Sequence, residues 1–262
     1  MTGAETKKEK MSRKTVSILS PLRYPGAKRR LARYIAEVLR LNNLEPTLYV
    51  EPFAGGASVA LQLLNDGAVE GIALGEKDPL LASFWKAVFN DEEWLISRIK
   101  SIEITLEKWD YFRNNDFSSD RERALACLFL NRTSFSGILS DTAGPIGGRS
   151  QTSDYPIDCR FPKETLIKRI RQAAGLKDKV VFVDEADWAD TLTKVEQMGY
   201  DAEDLFYYCD PPFYHKAERL YRYCFSDEQH RALHDTLIAL KQPWVLSYDV
   251  ADEVISLYSD NG

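Results

Sequence analysis

A short run of apolar and aromatic residues, 205–209, stops abruptly at Asp210-Pro211-Pro212, and this feature constrains the fold more than any other in the chain. The run predicts a buried β-strand. Proline has a fixed φ and donates no backbone N–H, so the two prolines end the strand in a rigid loop. Because open α/β sheets bind ligands at the carboxyl ends of their strands, we expect a ligand site at this loop.

The groups of this loop suit an exocyclic amine such as N6 of adenine, whose lone pair is delocalised into the ring. An Asp210 oxygen and the Pro211 carbonyl can accept the two N–H hydrogens, which frees the lone pair for attack on a methyl group. The ring of Phe213 can stack on a base that has swung out of its duplex. The alternative is a turn that only ends a strand. The other motifs of the chain have to distinguish this structural role from a catalytic one.

A glycine-containing loop in the first quarter of the chain has the strand–loop–helix arrangement of a nucleotide site. Residues 47–50 predict a strand and residues 59–64 a helix, and glycines between them let a ligand approach the backbone closely. The loop lacks Gly-x-Gly-x-x-Gly and Gly-Lys-Ser/Thr, which disfavours a nicotinamide oxidoreductase; a simple tight turn is the alternative reading. The loop consists of Glu51, Pro52, Phe53, Ala54, Gly55, Gly56, Ala57 and Ser58.

Acidic residues follow the second predicted strand, residues 72–74. An acid about 20 residues after the glycine loop is placed to bind both ribose hydroxyls of an adenosine. Glu76 is the first candidate for this role and Asp78 the second. Predicted strands at 180–183 and 244–249 continue the alternation, which indicates an α/β fold with a mostly parallel sheet and helices on both faces.

The alternation of strands and helices stops between residue 91 and about residue 175. Helical patterns at 92–102 and 121–130 lead into a glycine-rich loop, and basic side chains are frequent here. We predict a mainly helical target-recognition insertion, 91–174, that lies against DNA; the alternative is a helical subdomain with solvated charges. The remaining domain boundaries are a disordered tail, 1–20, and a catalytic domain formed by 21–90 and 175–262.

Composition limits the partners of the chain. With a net charge of −6, any nucleic acid must meet a local basic patch on an otherwise acidic body. No apolar run is long enough for a bilayer, so we expect no membrane partner and a cytoplasmic location. The cysteines form no Cys-x-x-Cys pair. His230 and His234 are expected on the solvent face of a helix, and we expect no bound metal.

Taken in order over nearly all of residues 20–250, the motifs resemble those of Dam-type (D12 class, alpha group) DNA adenine-N6 methyltransferases. This resemblance implies a Rossmann-like fold that binds S-adenosyl-L-methionine and releases S-adenosyl-L-homocysteine. Residues 131–137 resemble the segment that opens the family's target-recognition region, and 247–249 its late strand motif. Asp187-Trp188 resembles the family's Asp-Phe pair, which holds the adenine of the cofactor.

The resemblance assigns residues to three sets. The implied catalytic residues are Asp210, Pro211, Pro212 and Phe213. The implied cofactor-binding residues are Tyr24, Lys28, Glu51, Pro52, Phe53, Ala54, Gly55, Gly56, Ala57, Ser58, Glu76, Lys77, Asp78, Asp187, Trp188 and Asp210. The implied DNA-binding residues are Asn131, Arg132, Ser134, Ser136 and Arg149.

The function implied by the resemblance is site-specific methylation of adenine N6 in double-stranded DNA by base flipping. The expected setting is a nucleoid-associated monomer or weak dimer, with a cognate restriction endonuclease encoded nearby as a candidate partner. Phe213 replaces the commoner Tyr of the family, Ala27 replaces a Gly, and the family's final strand hairpin is missing. The alternatives are a methyltransferase for cytosine N4, RNA or a glutamine amide, and a truncated, catalytically inactive DNA- or cofactor-binding relative.

Overall fold

The computed structural model describes residues 17–23, 28–215 and 217–259. Its centre is a five-stranded sheet in which all strands run parallel, in the order β3-β2-β1-β4-β5. The first strand, β1, is therefore central; β2 and β3 are added on one side of it, and β4 and β5 on the other. The strands are β1 (Leu48–Glu51), β2 (Gly71–Glu76), β3 (Val180–Glu185), β4 (Leu205–Cys209) and β5 (Trp244–Leu246).

Helices occupy most of the connections between strands. In the part of the chain that the structure describes, none of them combines the length and apolarity needed to cross a membrane. The helices are α1 (Arg29–Leu41), α2 (Ser58–Asp66), α3 (Pro79–Asn90), α4 (Glu92–Ser101), α5 (Leu106–Asn114), α6 (Asp120–Thr133), α7 (Lys163–Ala174), α8 (Trp188–Gln197), α9 (Ala217–Leu220), α10 (Asp227–Ala239) and α11 (Asp252–Tyr258).

Helices cover both faces of the sheet, because successive side chains of a strand point to opposite faces. Tyr49 of β1 and Phe206 of β4 belong to the larger core, which contains side chains of α1, α2, α3, α4, α6 and α7. Val50 and Tyr207 belong to the smaller core, which contains side chains of α8 and α10. The predicted α/β class with a Rossmann-like sheet is thereby confirmed.

The helical segment between α4 and α7 shares its core with the sheet. Helix α6 packs along α3, and buried residues of α6 and α7 join Phe84 and Trp85 of α3 in the larger core. The rings of Phe112 and Phe129 lie 4.9 Å apart, and Phe129 and Phe161 lie 6.0 Å apart. The segment is therefore packed as part of the main body, whereas its role in target recognition stays a prediction.

Three local predictions need correction. Ile18 is 3% exposed in the larger core, so residues 17–20 belong to the folded body and not to a tail; residues 1–16 lie outside the described part. His230 is 3% exposed and not on a solvent face, because its ring packs against Tyr214 and Phe225. The last strand ends at Leu246, three residues earlier than predicted.

Gly75→Ala should destabilise the fold by about 2 kcal/mol, because overpacking a filled site forces backbone or side-chain shifts. A Cβ at Gly75 of β2 would overlap Oγ1 of Thr191 in α8 and lie 2.8 Å from its Cγ2. Gly144→Ala is the matched control, since a Cβ there meets nothing within 4 Å. Urea denaturation of both variants measures the effect, and equal midpoints would contradict the packing described for β2 and α8.

Candidate active site

A pocket opens at the carboxyl ends of β1, β2 and β4. It brings together every implied cofactor residue that the structure describes, whereas Tyr24 lies outside the described residues. The implied residues in its wall are Lys28, Glu51, Pro52, Phe53, Ala54, Gly55, Gly56, Ala57, Ser58, Glu76, Lys77, Asp78, Asp187, Trp188 and Asp210. Sequence motifs separated by up to 182 positions, such as Lys28 and Asp210, thus share one pocket.

The glycine loop after β1 is held by its neighbours. Gly55 has φ +46° and Ala57 has φ +45°, so the chain passes twice through the left-handed region. Glycine adopts this conformation without steric cost, whereas alanine does not, and the surrounding contacts must hold Ala57 in place. The indole Nε1 of Trp85 donates a 2.8 Å hydrogen bond to the Gly55 carbonyl. This hydrogen bond connects the loop to α3 and holds it in place.

Two buried acids lie behind the loop. Glu51 accepts hydrogen bonds from the Ala60 N–H at 2.8 Å and from the Tyr49 hydroxyl at 3.0 Å. Glu76 accepts from the Gly55 N–H at 2.7 Å and the Asp78 N–H at 2.9 Å, so ribose would have to use its remaining lone pairs. Burial raises the pKa of Glu51 to about 8 and the pKa of Glu76 to about 7.

Ion pairs connect the elements at the end of β2, on one side of the pocket. Asp78 caps the N-terminus of α3 through the Leu80 N–H and also accepts a 2.7 Å contact from Arg222 Nη1. Lys77 Nζ lies 2.7 Å from Oδ2 of Asp187. These contacts tie the end of β2 to the start of α8 and to the segment 221–225, so three separate stretches of chain form one wall.

Asp210 is held through a single oxygen. Its Oδ1 accepts from Lys28 Nζ at 2.5 Å and from Ser247 Oγ at 2.5 Å, and the Ser247 hydroxyl also contacts the Tyr208 hydroxyl at 2.9 Å. Burial raises the pKa of Asp210, whereas the Lys28 ammonium and the Ser247 hydroxyl oppose that rise. Among the residues that the structure describes, no donor is hydrogen-bonded to Oδ2.

The aromatic residue after the prolines lies at the edge of the same pocket. The ring of Phe213 meets Tyr221 edge to face at 5.7 Å, and Lys28 Nζ lies 5.3 Å from its centroid. Asp249 accepts from the backbone N–H groups of Tyr214 at 2.9 Å and His215 at 3.3 Å, which fixes the exit of the loop. Pro212 lines the pocket and Pro211 is buried beside it.

The residues implied in DNA binding divide into buried and exposed ones. Asn131, Arg132 and Ser134 are buried, whereas Ser136 and Arg149 are exposed. The Asn131 amide bonds to both backbone groups of Arg23 and donates to the Gly137 carbonyl at 2.9 Å. Ser134 Oγ accepts from Trp109 Nε1 at 3.0 Å and from Arg113. Asn131 and Ser134 therefore support the turn from inside, and their implied part in DNA binding stays a prediction.

The sequence analysis missed a second set of pocket residues. Most of them lie in the stretch 221–225 between α9 and α10, which has no periodic pattern. Its several aromatic residues around Arg222 could have indicated a binding surface. Phe135 was also missed; it is 67% exposed on the turn that Asn131 supports. The additional residues that line the pocket are Val59, Tyr208, Tyr221, Arg222, Tyr223, Cys224 and Phe225.

Fold and site together define a Rossmann-like methyltransferase, because a glycine loop after β1 and an Asp-Pro-Pro-Phe loop after β4 meet in one pocket. The family model of the D12 class N6 adenine-specific DNA methyltransferases matches residues 24–262, and the chain belongs to this family. A curated relative, the Type II methyltransferase M.MjaIII of Methanocaldococcus jannaschii, is 26% identical over 133 residues. That match covers 45% of this chain and 46% of the relative, so the chain spans about half of its length.

Replacing Glu51 by Gln should flatten the decline of stability with pH. The folded pKa of Glu51, about 8, lies above its unfolded value of 4.5, so the folded state holds the extra proton between these values. The free energy of unfolding therefore falls by about 1.4 kcal/mol per pH unit for this group as pH rises from 5 to 8.

Urea denaturation at several pH values from 5 to 8 measures this slope for wild type and Glu51→Gln. Glu203→Gln, at an exposed position, is the matched control. Parallel curves for wild type and Glu51→Gln would show that Glu51 does not titrate in this range.

Proposed function

We propose that this chain transfers a methyl group from S-adenosyl-L-methionine to N6 of adenine at specific sites in double-stranded DNA. The observation that carries the proposal is the position of Asp210 in the pocket that contains the glycine loop: its Oδ1 is anchored, and no described residue donates to its Oδ2. Family membership supports the reaction class. The half-length match to the curated relative is a further reason to test the activity directly.

The pocket fits the chemistry of this cofactor, which supplies the methyl group as a positively charged sulfonium. Glu51 and Asp210 are near enough that the charge of Asp210 helps to raise the pKa of Glu51. The charge of Asp210, joined by that of Glu51 as pH approaches its pKa of about 8, favours a cation over the neutral sulfur of the product. Phe53 and Phe225 meet edge to face at 5.8 Å and offer apolar surface to an adenine ring, while Glu76 is placed for the ribose.

Asp210 would orient the target amine. Lys28 and Ser247 fix Oδ1, so Oδ2 can accept one N6–H hydrogen in a constant direction. The Pro211 carbonyl would accept the other, and Phe213 would stack on the flipped base. The nitrogen lone pair is then directed toward the methyl group, and catalysis rests on positioning and electrostatics. N6 becomes acidic once it carries the methyl group, and its extra proton leaves at that stage.

The exposed turn after α6 is our candidate for DNA contact. Ser136 has φ +56°, and the neighbouring Phe135 ring is 67% exposed. Arg149 forms a two-pronged ion pair with Asp110, at 2.5 and 3.0 Å, which a DNA phosphate could replace. The proposal includes a monomer or weak dimer, a cytoplasmic, nucleoid-associated setting, and a cognate restriction endonuclease encoded nearby.

Asp210→Ala should lower methyl transfer by about 10³-fold, because the group that orients and polarises the amine is lost. Cofactor affinity should change by less than about tenfold, since the rest of the pocket remains. The matched variant Phe213→Tyr keeps the aromatic face and should stay near wild-type activity.

Transfer of labelled methyl to duplex DNA, followed by digestion to nucleosides, measures both variants and identifies the product. The expected result is label in N6-methyldeoxyadenosine. Label in cytosine, RNA or protein with none in adenine would overturn the substrate assignment, and an unimpaired Asp210→Ala would overturn the catalytic one.

The preference for S-adenosyl-L-methionine over S-adenosyl-L-homocysteine should increase as pH rises from 6 to 9. Glu51 and Glu76, with pKa values of about 8 and 7, ionise over this range, and a bound sulfonium favours their charged forms. Calorimetric titration of both ligands at several pH values measures the ratio. A ratio independent of pH would exclude this electrostatic selection, and Glu51→Gln should reduce the pH dependence.

A further inference from the structure

Four arginines form a cluster at one end of the helical segment. Arg132 is in the last turn of α6, Arg169 is in α7, Arg160 precedes α7 and Arg23 precedes α1. Arg132 is only 5% exposed, and its Nε and Nη2 have no hydrogen-bond partner among the residues that the structure describes; the same holds for the buried Nη1 of Arg23. Among residues 17–23, 28–215 and 217–259, no carboxylate lies within ion-pair distance of any of the four guanidinium groups.

A buried arginine surrounded by three further arginines, with no carboxylate of the described residues beside it, is an unusual arrangement. Burial and the charges of Arg169, Arg23 and Arg160 lower the pKa of Arg132 to about 9, and burial and Arg160 lower the pKa of Arg23. Arg132 is still a cation at neutral pH. Native proteins pair their buried charges and satisfy their buried polar groups, because an uncompensated charge is strongly destabilising. Among the described residues no carboxylate compensates the charge of Arg132, and a bound anion would do so.

The cluster is joined directly to the exposed turn after α6. The Asn131 side chain accepts from the Arg23 N–H at 2.7 Å and donates to the Arg23 and Gly137 carbonyls at 2.9 Å each. A Cβ at Gly137 would overlap the Arg23 carbonyl, so the two chain segments are in close contact. An anion bound by Arg23 and Arg132 would consequently lie next to the surface proposed to meet DNA.

We propose that this arginine cluster is an oxyanion site that takes a phosphate group of the DNA backbone beside the turn 134–137. Guanidinium groups match the oxygens of a phosphate with pairs of hydrogen bonds. Arg160 is exposed, and Arg23 and Arg169 are half-buried, so they form the entrance to the deeper Arg132. The choice of DNA as the source of the phosphate rests on the proposed function, whereas the need for an oxyanion does not.

The oxyanion site is tested first without DNA, by thermal unfolding of the full chain in inorganic phosphate and in chloride at equal ionic strength. Phosphate at about ten times its dissociation constant should raise the Tm of the wild type by about 3 °C. Arg132→Met should lose this response. In chloride it should unfold at or above the wild-type temperature, because a repelling charge is gone.

Arg171→Met is the matched control, since Arg171 is exposed on the same helix as Arg169 and should leave the phosphate response intact. Arg160→Met, at the exposed edge of the cluster, creates no buried hole and should weaken the response even if Arg132→Met does not fold. An unchanged response in Arg160→Met and Arg132→Met, or a destabilised Arg132→Met that still responds, would assign these residues a structural role and overturn the site.

The source of the phosphate is tested by the salt dependence of binding to a mixed-sequence duplex between about 50 and 200 mM salt. Arg132→Met should reduce the slope of log affinity against log salt by about 1, and Arg171→Met should not. A lost phosphate response with an unchanged slope would overturn the DNA assignment and leave a site for free phosphate. If the wild type binds no duplex, the proposed function fails. The phosphate experiment then still tests whether the arginine cluster binds an oxyanion.

Discussion

Parallel pairing of β1 with both β2 and β4 is the constraint on which the site depends. Val50 is opposite Ala73 on one side and Tyr207 on the other, so the three strands end at the same edge of the sheet. An acid stands at or directly after the end of each strand, and Glu51, Glu76 and Asp210 consequently line one pocket. Burial raises the pKa values of all three acids; the charge of Asp210 adds to the rise at Glu51, and the charge of Asp78 adds to the rise at Glu76.

The sheet was predictable from the sequence because its strands are short apolar runs that end in recognisable loops. The run 205–209 was predicted with the bounds that β4 has in the structure. The glycine loop and Asp210 were placed in the site because their order along the chain determines which end of the sheet they occupy. Most of the fold could therefore be predicted from hydrophobic periodicity and from the residues that end the strands.

Side-chain direction in the irregular segments was not predictable in the same way. A motif gives the order of Asn131 and Ser134, but it does not indicate that their polar groups are used by Arg23 and Arg113 inside the protein. His230 has a polar side chain on an otherwise polar-looking helix, yet tertiary packing against Tyr214 buries it. The segment 221–225 became part of the pocket through Arg222, whose partner Asp78 is 144 positions away. Such long-range pairings leave no local pattern.

Helix α3 connects the two halves of the proposed machinery. Trp85, in the middle of this helix, holds the Gly55 carbonyl of the cofactor loop, while the same helix packs along α6, whose end carries the exposed turn. Protein interiors are densely packed and transmit small displacements. A shift at the end of α6 would therefore be passed through α3 to the hydrogen bond on the Gly55 carbonyl, so the exposed turn and the glycine loop are mechanically linked by one helix.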